Sequence, residues 1–331
     1  MLKKIIVLST LIGCILFAAV LLLTGVEQIK SSLMSFYFPN FLMILFIFLI
    51  EFIVLIYRWK IILKASGHNI AFKKLIAPKT ACYATSYLTL FSRLGGEPVR
   101  AYMLKKKTGV SFITGLATTI SDKILEFTSS LMFVLCGLLF LLMKYTISNN
   151  IELMLIAIVS LFILLIVLFY TRVMKRKEIF ILFVRIFGID KLKYFAKIGP
   201  HIENLEDEIS DLFINHKKIV LTAIILSTIA NILILSEYIL LAHFLGYSIS
   251  ILGATLIFSL TALATAFPIP GALGPYEGLS ALAFSLLGIA ASSGVAFSLI
   301  IRGTELLMVG IGLLFMYHLG IKLALSFLSE K

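Results

Sequence analysis

Five ionisable residues interrupt segments that are otherwise apolar enough to cross a lipid bilayer: Asp122, Lys123, Glu126, Arg302 and Glu305. A charged side chain is costly in hydrocarbon, so such residues face a cavity lined by protein rather than lipid. Their charges also indicate which kind of ligand or substrate the cavity binds. The charges therefore predict a polar site or path inside a membrane domain.

The two charge clusters follow similar Gly/Pro-rich stretches at the same separation. Glu97 lies 25 residues before Asp122, and Glu277 lies 25 residues before Arg302. Each of these glutamates stands beside residues that break a helix: Gly95, Gly96 and Pro98 in the first case, and Pro270, Gly271, Gly274 and Pro275 in the second. This parallel predicts that two similar structural units position the clusters.

Composition defines the class of protein. Of the 331 residues, 60% are hydrophobic and only 14% are charged, and the mean hydropathy is +1.08. An ordinary soluble domain does not have this composition. We expect an all-α polytopic membrane protein whose single integral membrane domain covers residues 1–331.

A bilayer span needs about 20 apolar residues. Six segments meet that length: about 5–25, 41–62, 111–143, 151–170, 219–245 and 292–317. Two further apolar stretches, about 75–108 and 251–289, are interrupted by glycine and proline. Proline removes a backbone donor and glycine permits a sharp reversal, so each stretch is predicted to form a broken, re-entrant helix pair near the centre of the bundle.

The distribution of basic residues predicts the topology. Lysine and arginine accumulate before the first span, after the second, around the first broken segment and between 172 and 218, whereas the loops near 26–40 and 144–150 hold few. The positive-inside rule then gives cytoplasmic N and C termini. The two broken segments enter from opposite faces, which predicts an inverted repeat with halves at about 41–143 and 219–317. The stretch 171–218 is predicted to be a cytoplasmic amphipathic connector.

Polar residues recur on one face of the third span. Thr114, Thr118, Asp122 and Glu126 follow one another every four residues, so they share a helical face. Two interpretations remain open: a structural ion pair of Asp122 or Glu126 with Arg302, or a lining for a translocation path. A hard cation needs more oxygen ligands than these, so no metal is expected.

Arg302 is the first candidate for binding an anion. Its guanidinium stays charged and matches phosphate with two parallel hydrogen bonds. The alternative is neutralisation by Glu305, three residues later on the same helix. By contrast, Arg58 with Trp59 and Lys60 has the composition of an interfacial anchor.

The broken loops offer a second kind of anion site. Pro98 and Pro275 stand where a first helical residue is favoured, so the backbone N–H groups after them can face an anion. Glu97 either caps its helix or has a proton-linked or gating role. The candidate residues are thus Glu97, Asp122, Glu126, Glu277, Arg302 and Glu305 along a substrate path, and Gly95, Gly96, Pro98, Arg100, Pro270, Gly271, Gly274 and Pro275 in anion-binding loops.

These stretches together resemble a known family. The runs 92–100, 122–126 and 270–277, followed by Arg302, are similar to the signature motifs of the lysylphosphatidylglycerol synthase transmembrane-region family, in the same order along nearly the whole chain. The family's usual motifs are R-x-G-E, E-R-x-x-D and P-x-P-G-G-L-G-x-x-E. Here the middle motif is Asp-Lys-x-x-Glu, and Ala272 replaces one glycine. Lysine in place of arginine weakens any bidentate role at that position.

The resemblance implies a flippase-like membrane protein. The family includes the membrane half of bacterial multiple peptide resistance factors and stand-alone archaeal and bacterial relatives, some linked to dolichol-dependent glycosylation. The sequence has no soluble aminoacyl-transfer domain, so we expect a stand-alone member that does not synthesise lysyl-lipid.

Two functions of different classes follow. The preferred hypothesis is a transporter that passes the head group of an anionic membrane lipid, or of a lipid-linked glycan on polyprenyl phosphate, through a charged cavity in the cell membrane. The alternative is an enzyme, or an enzyme subunit, of envelope lipid modification or glycosylation that uses a carboxylate as general base. The glycines at 271, 274 and 278 match neither a Walker loop nor the G-x-G-x-x-G fingerprint, so nucleotide binding finds no support. No cofactor and no nucleic-acid partner are expected. A membrane-associated lipid-modifying or glycosylating enzyme is a possible partner.

Overall fold

The computed structural model of the protein describes residues 2–34, 36–90, 95–144, 149–176 and 195–329. In these ranges the chain forms helices and no strands, which confirms the predicted all-α class. Numbered in chain order, the α-helices are α1 (Leu2–Thr24), α2 (Val26–Met34), α3 (Phe38–Ala65), α4 (Phe72–Leu88), α5 (Glu97–Thr108), α6 (Phe112–Lys144), α7 (Asn149–Met174), α8 (Phe195–Asn215), α9 (Lys217–Phe244), α10 (Ile251–Ala264), α11 (Pro275–Leu286) and α12 (Ala291–Ser329).

Six of these helices are long and apolar enough to cross a membrane, as predicted. Their apolar ranges are Val7–Thr24, Phe38–Ala65, Phe112–Lys144, Glu152–Met174, Lys217–Phe244 and Ala291–Leu319. The first and fourth carry few buried residues, so α1 and α7 lie at the periphery with their apolar side chains turned outward. Helix α2 occupies part of the stretch near 26–40 that the sequence suggested was a loop.

Both glycine- and proline-interrupted segments are broken helix pairs. Helix α4 ends at Leu88 and α5 begins at Glu97, while α10 ends at Ala264 and α11 begins at Pro275 after a single 3₁₀ turn at Pro270–Ala272. Gly274 has φ +90°, and a Cβ there would lie 2.5 Å from the Cβ of Leu16. Only glycine fits this turn, because it tolerates both the positive φ and the close contact with α1.

Equivalent helices of the two proposed halves make equivalent packing contacts. Helix α3 packs on α9, and the first helix of each broken pair packs against the long helix of the other half: α4 on α12, and α10 on α6. Gly137 of α6 allows close contact with Thr255 and Ser259 of α10, and Gly312 of α12 allows close contact with Thr80 and Ala84 of α4.

These two glycine contacts correspond to each other. The same separation along the chain divides Thr80 from Thr255, Ala84 from Ser259, and Gly137 from Gly312. Such a correspondence is what an internal two-fold axis would give. The inverted orientation of the halves, and the re-entrant course of the broken pairs, stay predictions.

The connector contributes one described helix. In α8 the buried apolar residues Leu205, Ile209, Leu212 and Phe213 follow a helical period and pack against residues of α6 and α9. Residues 177–194 of the predicted connector lie outside the described residues.

Candidate functional site

Asp122 is the centre of a buried charge network formed by four helices. Its Oδ1 accepts a hydrogen bond from Nε of Arg58 on α3 at 2.6 Å. Its Oδ2 accepts from Nζ of Lys79 on α4 at 3.2 Å and from Nη1 of Arg100 on α5 at 2.8 Å. Asp122 is 1% exposed, so one carboxylate on α6 joins the first broken pair to α3.

Glu126 extends the network one helical turn further along α6. Its Oε2 accepts from Nη2 of Arg58 at 2.9 Å, and its Oε1 accepts from Nζ of Lys123 at 2.8 Å. Nη1 of Arg58 donates to Oγ of Ser227 on α9 at 2.8 Å. The polar face predicted for the third span thus points into the protein, as the four-residue spacing required.

Arg58 and Trp59 do not form an interfacial anchor, and that interpretation is wrong. Both side chains are fully buried, and Trp59 donates from Nε1 to Oγ1 of Thr118 at 3.4 Å. Arginine and tryptophan side by side are typical of an interfacial anchor, but the same pair of residue types can also form a buried ion-pair site. The distinguishing signal was the position of Arg58 seven residues after Glu51, on one stripe of an otherwise apolar helix.

Arg100 holds unused hydrogen-bonding capacity inside the protein. Its guanidinium lies over the ring of Trp59, with Cζ 3.7 Å from the ring centroid. Only Nη1 has a hydrogen-bond acceptor among the described residues; Nε and Nη2 are buried and have none there. A buried, unpaired donor is costly, so a ligand that supplies acceptor oxygens at this position would be favoured.

Arg302 belongs to a second cluster, at the second broken pair. Its Nε donates to Oε1 of Glu277, and its Nη1 donates to the hydroxyl of Tyr87 at 2.7 Å and to the carbonyl oxygen of Gly271 at 2.9 Å. Nη2 donates to the carbonyl oxygen of Ala272 at 3.3 Å. Four of the five N–H donors of this guanidinium are therefore used by the protein.

The hypothesis of an ion pair between Arg302 and Asp122 or Glu126 is wrong. Asp122 and Glu126 pair with Arg58 and with lysines of the first cluster, whereas Glu277 is the carboxylate to which Arg302 donates. Glu305, the predicted alternative partner, acts on Arg302 electrostatically. The sequence could not indicate this, because the pairing depends on how the broken pairs fold back.

The two loop glutamates cap their own turns. Oε2 of Glu97 accepts from the backbone N–H of Gly95 at 2.7 Å, and Oε2 of Glu277 accepts from the backbone N–H of Gly274 at 2.7 Å. Glu277 thus caps the start of its own helix, as the sequence suggested for Glu97. Pro98 and Pro275 lie in the first turns of α5 and α11, as predicted. Of the first motif, Ser92, Arg93 and Leu94 lie outside the described residues.

A cavity of about 170 Å³ is lined by residues of α3 to α6 on one side and by residues of α9, the second broken pair and α12 on the other. One water needs roughly 10–15 Å³, so the space can hold several waters or a polar group. Of the predicted site residues, the cavity brings together Glu97, Arg100, Asp122, Glu126, Gly271 and Glu305. Arg302 and Glu277 are not among the residues that line it, nor are Gly95, Gly96, Pro98, Pro270, Gly274 and Pro275.

Lys79 is a site residue that the sequence did not single out. Its signal was weak, because it follows Pro78 in a segment whose other lysines, Lys73 and Lys74, are exposed. Burial of Lys79 depends on the packing of α4 against α12 and α5. Glu51 and Glu237 also line the cavity, as polar residues inside apolar spans.

Fold and site together define a polytopic α-helical membrane protein with a charged cavity between its helices. A family model described as the lysylphosphatidylglycerol synthase TM region matches residues 6–312, and the chain belongs to this family. It is similar to a UPF0104 membrane protein of Methanothermobacter thermautotrophicus, with 27% identity over 303 residues and 88% of each chain covered. It is also similar to a UPF0104 membrane protein of Pyrococcus horikoshii, with 28% identity over 206 residues, 62% of this chain and 59% of that protein.

Proposed function

We propose that this protein is a lipid transporter of the cell membrane. In this proposal the head group of an anionic lipid, either a phospholipid or a polyprenyl-phosphate glycolipid, passes through the central cavity while its tails stay in the bilayer. The observation that carries the proposal is the surplus of positive charge around Asp122, combined with the unpartnered N–H groups of Arg100.

The charges of the first cluster do not balance. Arg58, Lys79, Arg100 and Lys123 face only Asp122 and Glu126 within their hydrogen-bonded network. Uncompensated cations are expensive to bury, and an added phosphate would lower that cost. The network around Asp122 therefore has room in its charge balance for a bound phosphate, which supports the transporter hypothesis.

Arg100 is the group best placed to grip that phosphate. Two of its nitrogens are buried without an acceptor in the described part of the chain, and Trp59 fixes the plane of the guanidinium from one face. Two adjacent N–H groups match two phosphate oxygens. Lys79, which also lines the cavity, adds a second cation.

The second cluster has a different role in this proposal. Arg302 and Glu277 bond to each other and to the backbone of the 3₁₀ turn and the start of α11. They brace the second broken pair, whose residues Gly271, Ala272 and Tyr276 form part of the cavity wall. Glu97, Asp122, Glu126 and Glu305 line the path itself.

The topology that accompanies this function is the one indicated by the basic residues. Cytoplasmic N and C termini would place the two broken pairs on opposite sides of the cavity, and rocking of one half against the other would give alternating access. The correspondence of the contacts at Gly137 and Gly312 supports two halves of this kind.

A reconstitution assay tests the function. Liposomes that contain the purified protein would be loaded with fluorescent lipids carrying phosphoglycerol, polyprenyl-phosphate glycan or phosphocholine head groups, and movement between leaflets would be followed by quenching of the outer label. We expect movement of anionic lipids well above that in protein-free vesicles. Movement no faster than in empty vesicles for every anionic lipid tested would overturn the proposal.

A further inference from the structure

A second charged region lies on the cavity wall, outside the network around Asp122. Glu237 on α9 lines the cavity and is 4% exposed. Its Oε1 is buried and has no hydrogen-bond partner among the residues that the structure describes. A buried carboxylate oxygen without a donor is costly when it carries charge, so this oxygen needs a proton or a cation.

The charged groups that act on Glu237 are themselves acidic. They are Glu51 on α3 and Glu305 on α12, and both also line the cavity. Arg302, whose charge acts on Glu305, donates its Nε hydrogen bond to Glu277 and does not line the cavity. The cations of the other region, by contrast, act on one another and on Asp122 and Glu126. The cavity thus has a basic region and an acidic region.

The surroundings of Glu237 supply no nearby cation from the helices packed on α9. Helix α10 carries no ionisable residue, and the ionisable residues of α6 that line the cavity are those of the network. Arg58 of α3 is committed to Asp122, Glu126 and Ser227. Helix α8 packs near the other end of α9, where the buried residues are Leu205, Ile209, Leu212 and Phe213.

Two tyrosine hydroxyls also belong to the cavity wall. Tyr238, which follows Glu237 in the sequence, and Tyr276 both line the cavity. Their hydroxyl oxygens lie 3.2 Å apart.

We propose that the acidic region formed by Glu51, Glu237 and Glu305 is a proton-binding site, with Glu237 as the residue that carries the proton. The inference rests on the proposed lipid transport, because it assigns the ion that accompanies the head group. The proton is held on the carboxylate oxygen of Glu237 and, on release, passes to water in the cavity.

The charges of the cavity wall explain why a proton and an anionic head group would move together. The lining includes four cations, Arg58, Lys79, Arg100 and Lys123, and six carboxylates, Glu51, Glu97, Asp122, Glu126, Glu237 and Glu305. A phosphate bound at Arg100 adds further negative charge to the same cavity. Additional negative charge in a cavity of low dielectric favours protonation of a carboxylate there, so head-group binding is expected to strengthen proton binding at Glu237, and the two are then linked reciprocally.

Infrared spectroscopy of the reconstituted protein tests the proton site without reference to transport. A protonated carboxylic acid gives a C=O stretching band that a carboxylate lacks. We expect such a band at neutral pH in the wild-type protein and in Glu203→Gln, which alters an exposed carboxylate on α8, and its loss in Glu237→Gln. A band of unchanged intensity in Glu237→Gln, or none in the wild type, would overturn the proton site.

Two further variants keep the test decisive should Glu237→Gln not fold. Glu51→Gln and Glu305→Gln each remove a neighbouring negative charge, so the band should disappear at a lower pH than in the wild-type protein. Bands that titrate as in the wild type in both variants would contradict an acidic region shared by the three residues.

Coupling is tested by imposing a pH gradient across vesicles that contain anionic lipid. We expect the gradient to change the rate of lipid movement in the wild type and in Glu203→Gln. Glu237→Gln, which mimics the protonated residue, should move lipid at a rate that does not respond to the gradient. An unchanged response of Glu237→Gln to the gradient would refute coupling through this residue. If neither the wild type nor any variant moves lipid while the infrared band of the wild type is present, transport is refuted and the proton site stands.

Discussion

Glu277 bonds Arg302 through one carboxylate oxygen and the backbone N–H of Gly274 through the other. One side chain thus fixes the start of α11 and anchors it to the long helix α12. Arg302 in turn donates to the carbonyl oxygens of Gly271 and Ala272. Ala272 has φ +48°, a left-handed conformation that is uncommon for a residue other than glycine. The pair therefore holds a turn that the backbone alone would not favour.

Neutralising one member of this pair should destabilise the protein strongly. Glu277→Gln leaves the guanidinium of Arg302 buried without its counter-ion, and breaking such a pair costs about 3–5 kcal/mol. The double variant Glu277→Gln with Arg302→Gln should lose less than the sum of the two single variants, because no unpaired charge remains. Free energies of unfolding in detergent measure this cycle.

The exposed ion pair of Lys30 and Glu27 is the matched control for that cycle. Its atoms are 3.9 Å apart and its side chains are 61% and 83% exposed. Glu27→Gln should change the free energy of unfolding by less than about 0.5 kcal/mol, because exposed pairs contribute little. Equal losses in Glu277→Gln and Glu27→Gln would show that Arg302 and Glu277 do not brace the turn.

Arg100→Lys should show whether the proposed phosphate site needs the planar guanidinium of Arg100 or only its positive charge. Lysine keeps the positive charge but lacks the planar fork and its paired N–H groups. Loss of one charge-assisted hydrogen bond corresponds to about tenfold in binding, so movement of anionic lipid per folded protein should fall by about this factor. Lys105→Gln alters an exposed residue of the same helix and should leave movement unchanged. Wild-type rates in Arg100→Lys would remove Arg100 from the site.

The sequence predicted the features of the fold that depend on residues close together in the chain. Apolar length identified the six spans, and the glycine and proline runs identified both broken pairs. The four-residue spacing of Asp122 and Glu126 placed them on one inward face. These features depend on residues close to one another in the chain.

The sequence did not predict which charges meet. The sequence placed Arg58 at an interface and did not single out Lys79, because burial of each depends on a helix distant in sequence. The choice of Glu277 over Asp122 as partner of Arg302 depends on the fold of the second broken pair. Such pairings are set by the packing of the whole bundle, and one sequence carries no local signal for them.

Two glycines of α12 should respond in opposite ways to alanine. A Cβ at Gly312 would lie 2.5 Å from the carbonyl oxygen of Thr80 and 2.6 Å from the Cβ of Ala84, whereas a Cβ at Gly310 would meet nothing within 4 Å. Gly312→Ala should therefore cost about 1–3 kcal/mol through overpacking. Gly310→Ala should stabilise by up to about 1 kcal/mol, because alanine favours the helix. Thermal unfolding in detergent compares the two variants, and equal effects would contradict the close packing of α4 on α12.

Glu208 on the connector helix should make stability depend on pH. Partial burial raises the pKa of Glu208 above its usual value, although the hydroxyl of Thr114 donates to its Oε1 at 2.9 Å and the charge of His68 acts in the opposite direction. The folded protein then binds this proton more tightly than the unfolded chain does. Stability from this residue is therefore present at low pH and is lost as the pH rises from the usual glutamate pKa through the raised one.

Glu208→Gln removes that titration while keeping an oxygen that accepts from Thr114. The variant should melt at a higher temperature than the wild type at neutral pH, and the difference should shrink as the pH falls below the usual glutamate pKa, where the wild-type side chain is protonated in both states. Asp207→Asn, which removes an exposed carboxylate from the same helix, is the control variant. A difference between wild type and Glu208→Gln that is constant across this pH range would mean that Glu208 is ionised in the folded protein as readily as in the unfolded chain.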